Sequence, residues 1–222
     1  IVQLVNHWRG KIETNTDALI AFGAGIVGSL TFAFTDSHWF NAVEAEVYAF
    51  STFFTAIVVW LALLWNEKAD EKGNERYILI IAYMIGLATG LHLLNLLTIP
   101  FVALLIYFKK YKFEWTSFSI LVVVTGFVFF IIHNVIIKGM PKIADAIGVS
   151  ATALLVMTIF ASMVWAILNH KQLLSIVLTS IVLVLIGYST YAMIFIRSNQ
   201  NPGIDENDPE TVDAMISYLE RE

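Results

Sequence analysis

From Tyr77 to Phe108 the chain carries no Asp, Glu, Lys or Arg. One helix needs only about 20 residues to cross the hydrocarbon of a bilayer, so this run is too long for a single ordinary span. Its middle reads Gly90-Leu-His-Leu-Leu-Asn95, with Pro100 just beyond. Two structures satisfy such a run: a tight re-entry at 90–95 between two short spans, or one long helix kinked at Pro100. The flanking charges choose between them. Lys68, Lys72 and Arg76 precede the run, and Lys109, Lys110 and Lys112 follow it. Cytoplasmic loops collect Lys and Arg, so both clusters belong on one side and an even number of crossings separates them. A hairpin meets that condition and a single helix does not.

Further apolar segments cover residues 17–35, 43–65, 116–137, 151–168 and 173–196. With 77–90 and 96–108 they predict an all-α, polytopic transmembrane helical bundle of about seven spans. Composition points the same way, with 58% hydrophobic side chains, 14% charged and a mean hydropathy of +0.75. A chain this apolar does not stay in water as a compact monomer.

Small residues Gly23, Gly25, Gly28 and Ser29 in the first span permit close helix contact. Residues 1–16, with His7, Trp8, Arg9 and Lys11, suit a cytoplasmic interfacial segment, and 197–222 read as an external segment leading onward. There, Asp208 and Pro209 are expected to open a helix with Met215, Ile216 and Leu219 at helical spacing. The chain starts at Ile1 rather than Met and stops at Glu222 inside a helical pattern, so the expectation is a part of a longer protein.

Seven spans put the first residue in the cytoplasm. Arg9, Lys11, Lys68, Lys72, Arg76, Lys109, Lys110, Lys112 and Lys171 then lie inside, and Lys138, Lys142, Arg197 and Arg221 outside, which accounts for all 13 basic residues. The excess has the expected sign. This topology places three polar stretches on the external side: the connector Asp36 to Tyr48, the Gly90–Asn95 turn, and the tail from Arg197.

The connector holds Asp36, Glu44 and Glu46 and no Lys or Arg. Carboxylates in a first helical turn can serve the helix dipole, but several uncompensated acids at a membrane boundary also invite a binding or catalytic role. If the 43–65 helix begins at Val43, Glu44 and Glu46 point roughly 200° apart, so only one faces inward. Glu44 shares its stripe with Tyr48, Ser51 and Thr55, which favours Glu44 on periodicity. His92 and Asn95 share a face if their turn is helical, and Arg197 offers paired donors to phosphate oxygens or anchors the helix at the interface. His133 with Asn134 is a weaker addition to this set.

Other chemistries are excluded or unsupported. The chain has no cysteine, so disulfides, thiolate metal sites and Cys nucleophiles are ruled out. Its basic residues form short clusters between spans, not a face for nucleic acid. No glycine-rich phosphate loop, zinc motif or Ser/His/Asp order is present, and Asp205 to Asp208 lacks calcium-loop spacing.

Three blocks carry a family resemblance: Phe34-Thr-Asp-Ser-His-Trp-Phe-Asn-Ala-Val-Glu-Ala-Glu-Val-Tyr48, Gly86-Leu-Ala-Thr-Gly-Leu-His-Leu-Leu-Asn95, and Tyr188-Ser-Thr-Tyr191 with Arg197-Ser and Asn201-Pro. The chain resembles a bacterial polytopic membrane family that is similar to the transmembrane protein O-mannosyltransferases of eukaryotes. The resemblance implies the GT-C glycosyltransferase fold in the bacterial inner membrane, with its active face external. It implies transfer of a sugar such as mannose from a polyprenyl-phosphate donor to an exported protein or glycan acceptor, with membrane lipid as a further partner.

The resemblance also assigns residues. It makes Asp36 and Glu46 the catalytic candidates, which conflicts with the periodicity that favours Glu44. Glu44, His92, Asn95 and Arg197, which the topology and not the resemblance brings to the external face, are the candidates for binding a phosphorylated, hydroxyl-rich substrate, and a divalent cation is an admissible cofactor with no ligand assigned. The best-attested catalytic acid of such enzymes lies in a first external loop that nothing here matches, and it is expected upstream of Ile1. The competing class is a non-catalytic membrane subunit or a transporter that binds a lipid or partner protein. No acid sits mid-span and no broken helices recur in matching halves, which counts against a transporter.

Overall fold

The computed structural model describes residues 1–44 and 47–220; Glu46 and Arg221 lie outside the described residues. Every regular element among them is helical, with no strand. Among the described residues, six helices are long and apolar enough to cross a bilayer. Much of their apolar surface faces outward. The helix from Trp115 to Phe130 buries none of its residues, and Val123 is 70% exposed. Such surface is at home against lipid, where helices satisfy their own backbone groups. This is a multi-pass, all-α membrane protein.

The chain divides into two compact units, Ile1–Phe53 and Phe54–Glu222. In the first, α1 (Val2–Arg9) precedes α2 (Asn15–Ala33). Thr14 and Asp17 cap α2 reciprocally: the Thr14 Oγ1 accepts from the Asp17 N–H at 3.1 Å, and the Thr14 N–H donates to Asp17 Oδ2 at 3.1 Å. Gly25 and Gly28 are the contact points for α1. A Cβ on them would stand 2.8 Å from Val2 Cγ2 and 2.6 Å from Ile1 Cδ1, whereas one on Gly23 would meet nothing. Of the three glycines predicted to pack, two do.

The connector then folds into its own short helix, α3 (Asp36–Val43), before α4 (Tyr48–Lys68) begins. This corrects the expectation of a helix running from Val43. Glu44 has extended backbone, φ -75 and ψ 151, at the end of α3, so it shares no helical stripe with Tyr48, Ser51 and Thr55.

In the second unit, α5 (Glu75–Thr89) ends at Gly90, a 3-10 turn spans Leu93–Leu97, and α6 (Thr98–Lys110) follows. The break falls at 90–92, not at Pro100. Lys109 Nζ lies 3.5 Å from Asp70 Oδ2, and Lys110 Nζ lies 5.6 Å from the centre of the Trp65 ring. The end of α6 therefore returns to the loop from which α5 departs, and both basic clusters share one end of the bundle. α5, at 15 residues, falls short of the six qualifying segments, one of which joins the 3-10 turn to α6 as Leu93–Lys110. It is also the helix that buries Ile81, Ala82, Ile85, Gly86, Ala88 and Thr89, so protein rather than lipid meets its flanks.

α7 (Trp115–Phe130) continues as a π-helical turn, Ile131–Ile137. Between two of the expected spans, Gly139–Ile147 forms α8; α9 (Val149–Leu168) and α10 (Gln172–Tyr188) follow. α5 and α10 run parallel and touch backbone to backbone. Gln172 Nε2 donates to Glu75 Oε1 at 3.0 Å at one end. Further along, a Cβ on Gly86 would lie 2.5 Å from the Val184 carbonyl oxygen, and one on Gly187 would lie 2.5 Å from Leu87 N. Any side chain there would separate the helices.

A 3-10 turn, Ser189–Tyr191, leads into α11 (Ala192–Ser198), and the tail ends in α12 (Val212–Glu220). α12 starts later than the sequence suggested. Asp208 has a left-handed φ of 44, which a helix cannot continue through, and Thr211 Oγ1 accepts from Ala214 N at 3.1 Å as the cap instead. Met215 of the expected apolar stripe is buried.

Candidate functional site

At the end of the second unit opposite Lys109 and Asp70, the chain breaks its helices to build a cavity of about 400 Å³. Its walls come from the end of α5 and the turn after it (Thr89 to Leu93), from Ile137 and Lys138, from Tyr191, from Asn207 in the tail, and from Ser217, Tyr218 and Leu219 of α12. Tyr188 fastens this end together, donating its hydroxyl to the Ile137 carbonyl at 2.9 Å. Tyr191 donates to the Thr89 carbonyl at 2.9 Å and so ties the turn after α10 to the end of α5.

The Gly90–Asn95 turn is built from within. His92 is extended, φ -156 and ψ 127, so it does not share a helical face with Asn95 as the sequence allowed. Its Nδ1 accepts from the Leu94 N–H at 3.2 Å and caps the 3-10 turn, while its carbonyl accepts from Asn95 N at 3.2 Å and Asn95 Nδ2 at 3.0 Å. Asn95 is 2% exposed, and its Oδ1 accepts from the Thr55 hydroxyl at 2.8 Å. The two residues divide the work: Asn95 holds the turn from beneath, and His92 lines the cavity.

Gly90 lies close under Thr190: a Cβ there would stand 2.8 Å from Thr190 Oγ1, and the Thr190 side chain would have to shift to admit it. This close approach joins two of the three blocks of sequence that carry the family resemblance.

The remaining candidates lie elsewhere. Arg197 is exposed near the end of α11, is not among the cavity's lining, and forms no ion pair with a described residue. Asp36, the first residue of α3, and Glu44, just past its end, are exposed in the first unit. Glu46 falls outside the described residues, so the choice between it and Glu44 is decided only as far as Glu44's place outside the helix. His133 stacks on Phe129 at 6.1 Å within the π-helical turn and does not line the cavity.

Sequence reasoning missed Lys138, Asn207, Ser217 and Tyr218. Lys138 follows directly on an apolar span, which was a usable signal, but the return of α12 was not legible from its spacing.

The tail has a second polar feature. Carboxylate oxygens of Asp205, Asp208 and Glu210 all lie within 4.8 Å of one another. Ser198, 1% exposed, donates to Asp205 Oδ2 at 2.8 Å and reaches Asp208 Oδ1 at 3.5 Å. An all-oxygen set of this kind fits a hard divalent cation.

No curated protein and no solved structure matches the chain. A family model does, the protein O-mannosyl-transferase TMEM260 N-terminal domain, over residues 1–115. The matched residues include Asp36, Glu44, Glu46, His92 and Asn95 and end where α7 begins. Since the match covers more than half of the 222 residues, the chain belongs to the protein O-mannosyl-transferase TMEM260 N-terminal domain family.

Proposed function

We infer that this protein is the membrane part of a GT-C-type glycosyltransferase that moves a sugar, with mannose as the first candidate, from a polyprenyl-phosphate carrier to an exported protein or glycan acceptor. The observation that carries the reading is the family match, which includes the acidic connector and the turn that borders the cavity. The external side of a bacterial inner membrane is the proposed place of transfer. Its support is the distribution of Lys and Arg, whose two clusters around α5 and α6 meet at one end while the cavity opens at the other.

In this reaction the acceptor oxygen bonds to the anomeric carbon, and the bond from that carbon to the phosphate oxygen breaks. The electron pair leaves with the polyprenyl phosphate, and the hydroxyl proton passes to a carboxylate. Asp36 and Glu46 orient the acceptor hydroxyl, with Glu44 as a neighbouring contact. Arg197 meets the carrier's phosphate at the membrane surface as negative charge builds on it. Where a divalent cation takes part, Asp205, Asp208 and Glu210 are its donors and it supplies further charge stabilisation.

The test is Glu46→Gln in the full-length protein, with transfer measured from a radiolabelled polyprenyl-phosphate sugar. Loss of a carboxylate that orients the acceptor is expected to lower turnover about 100-fold or more, within the usual range of general acid–base contributions. Unchanged turnover removes Glu46 from the site.

A further inference from the structure

We propose that the cavity between the end of α5, Ile137 and Lys138, and α12 is a seat for a phosphate ester, with Lys138 as its cationic anchor. Among the described residues that line it, Lys138 is the only one with a permanent charge, and no described carboxylate pairs with it. It stands at the end of an apolar span, half-buried. An ionisable group at that depth ordinarily has a partner, and none of the described side chains that line the cavity is an acid, which leaves the Lys138 charge open to an anionic ligand.

The rest of the lining supplies the donors that phosphate oxygens need. Asn207 brings an amide, Ser217 and Tyr218 bring hydroxyls, and His92 brings an imidazole. Leu219 and the leucines of the α5 turn make the remaining wall apolar, which suits a ligand whose charged end adjoins a hydrocarbon or a sugar ring.

The acids nearest in sequence do not spoil the site. Glu206 and Asp208 flank Asn207: Glu206 is exposed, the carboxylates of Asp208 and of Asp205 turn to Ser198, and none of the three lines the cavity. The inference deepens the transferase reading by offering Lys138, in place of Arg197 outside the cavity, as the cation that holds the carrier's phosphate, and it rests on that reading only for the identity of the carrier, not for the seat.

The experiment measures equilibrium binding of a short-chain prenyl monophosphate to the purified full-length protein in detergent. The matching prenyl alcohol and inorganic phosphate serve as competitors. Lys138→Ala is expected to weaken binding about tenfold or more, as loss of a charge-assisted contact does, while Lys138→Arg stays within about threefold. Lys142→Ala makes the same change of net charge on α8 outside the cavity's lining and is expected to bind as the parent does.

Equal losses in Lys138→Ala and Lys142→Ala, or no loss in Lys138→Ala with its thermal melt unchanged, overturn the proposal. Displacement by inorganic phosphate at concentrations matching the prenyl phosphate supports the seat but assigns it to a water-borne ester. Displacement by the alcohol alone overturns it. No acceptor or turnover enters the assay, so Lys138-dependent binding combined with full activity of Glu46→Gln keeps the seat and removes the acceptor role of Glu46.

Discussion

Asn95 shows what one polar side chain can do inside an apolar bundle. It is buried, and its amide takes the Thr55 hydroxyl at one end and gives a proton to the His92 carbonyl at the other. Removing it strands polar partners where water does not reach, which costs about 1–3 kcal/mol. Asn95→Ala is therefore expected to lower the melting temperature by several degrees, at about 2–4 °C per kcal/mol for a domain of this size. Combined with Thr55→Val it should cost less than the two single changes added, because they share a bond; thermal melts of the three variants check both points. The sequence marked 90–95 as a polar interruption of an apolar run, and that much was legible. The inward direction of Asn95 was not, because it depends on the hydroxyl of a residue 40 positions earlier. Glu44 failed for a different reason: its expected stripe assumed a helix already formed at Val43, and the chain instead spends those residues on α3.

Between elements, the α5–α10 contact is the one most sensitive to a single methyl group. Gly187 faces Gly86 so closely that a Cβ would lie 2.6 Å from the Gly86 carbonyl carbon, whereas a Cβ on Gly126 in α7 would meet no atom within 4 Å. In an otherwise neutral helix, Ala is better than Gly by about 1 kcal/mol. Gly126→Ala is thus expected to be neutral or stabilising in a melt, and Gly187→Ala to destabilise by about 1–3 kcal/mol through overpacking. If both changes behave alike, backbone propensity rather than close approach governs the pair. The sequence showed small residues in the first span, and Gly25 and Gly28 do pack there. It could not single out Gly86 and Gly187, since a small residue in a membrane helix does not name the helix it faces.

Across the whole molecule, hydropathy made the bundle legible and the placement of Lys and Arg anticipated the hairpin at 90–95. The Lys109–Asp70 pair reports that geometry without contributing much to stability, because Asp70 is 92% exposed and such surface pairs are worth about 0–1 kcal/mol. What hydropathy could not resolve was the tail, whose short helices and left-handed turns depend on tertiary contacts. The absence of cysteine makes a clean background for mapping. Single cysteines at Glu71 and Lys112 are expected to react with a membrane-impermeant thiol reagent from one side only, and one at Ile204, which is 91% exposed, only from the other. Labelling of all three from the same side would dissolve the topology.

The glycine contact also limits how this bundle moves. A slide of α10 by one turn would bring Leu183 or Tyr191 to the place of Gly187, and neither fits against the α5 backbone. The two helices are a fixed post with one permitted register, able to rock but not to act as a piston. A ligand that reaches the cavity therefore meets the end of α5 as a fixed wall.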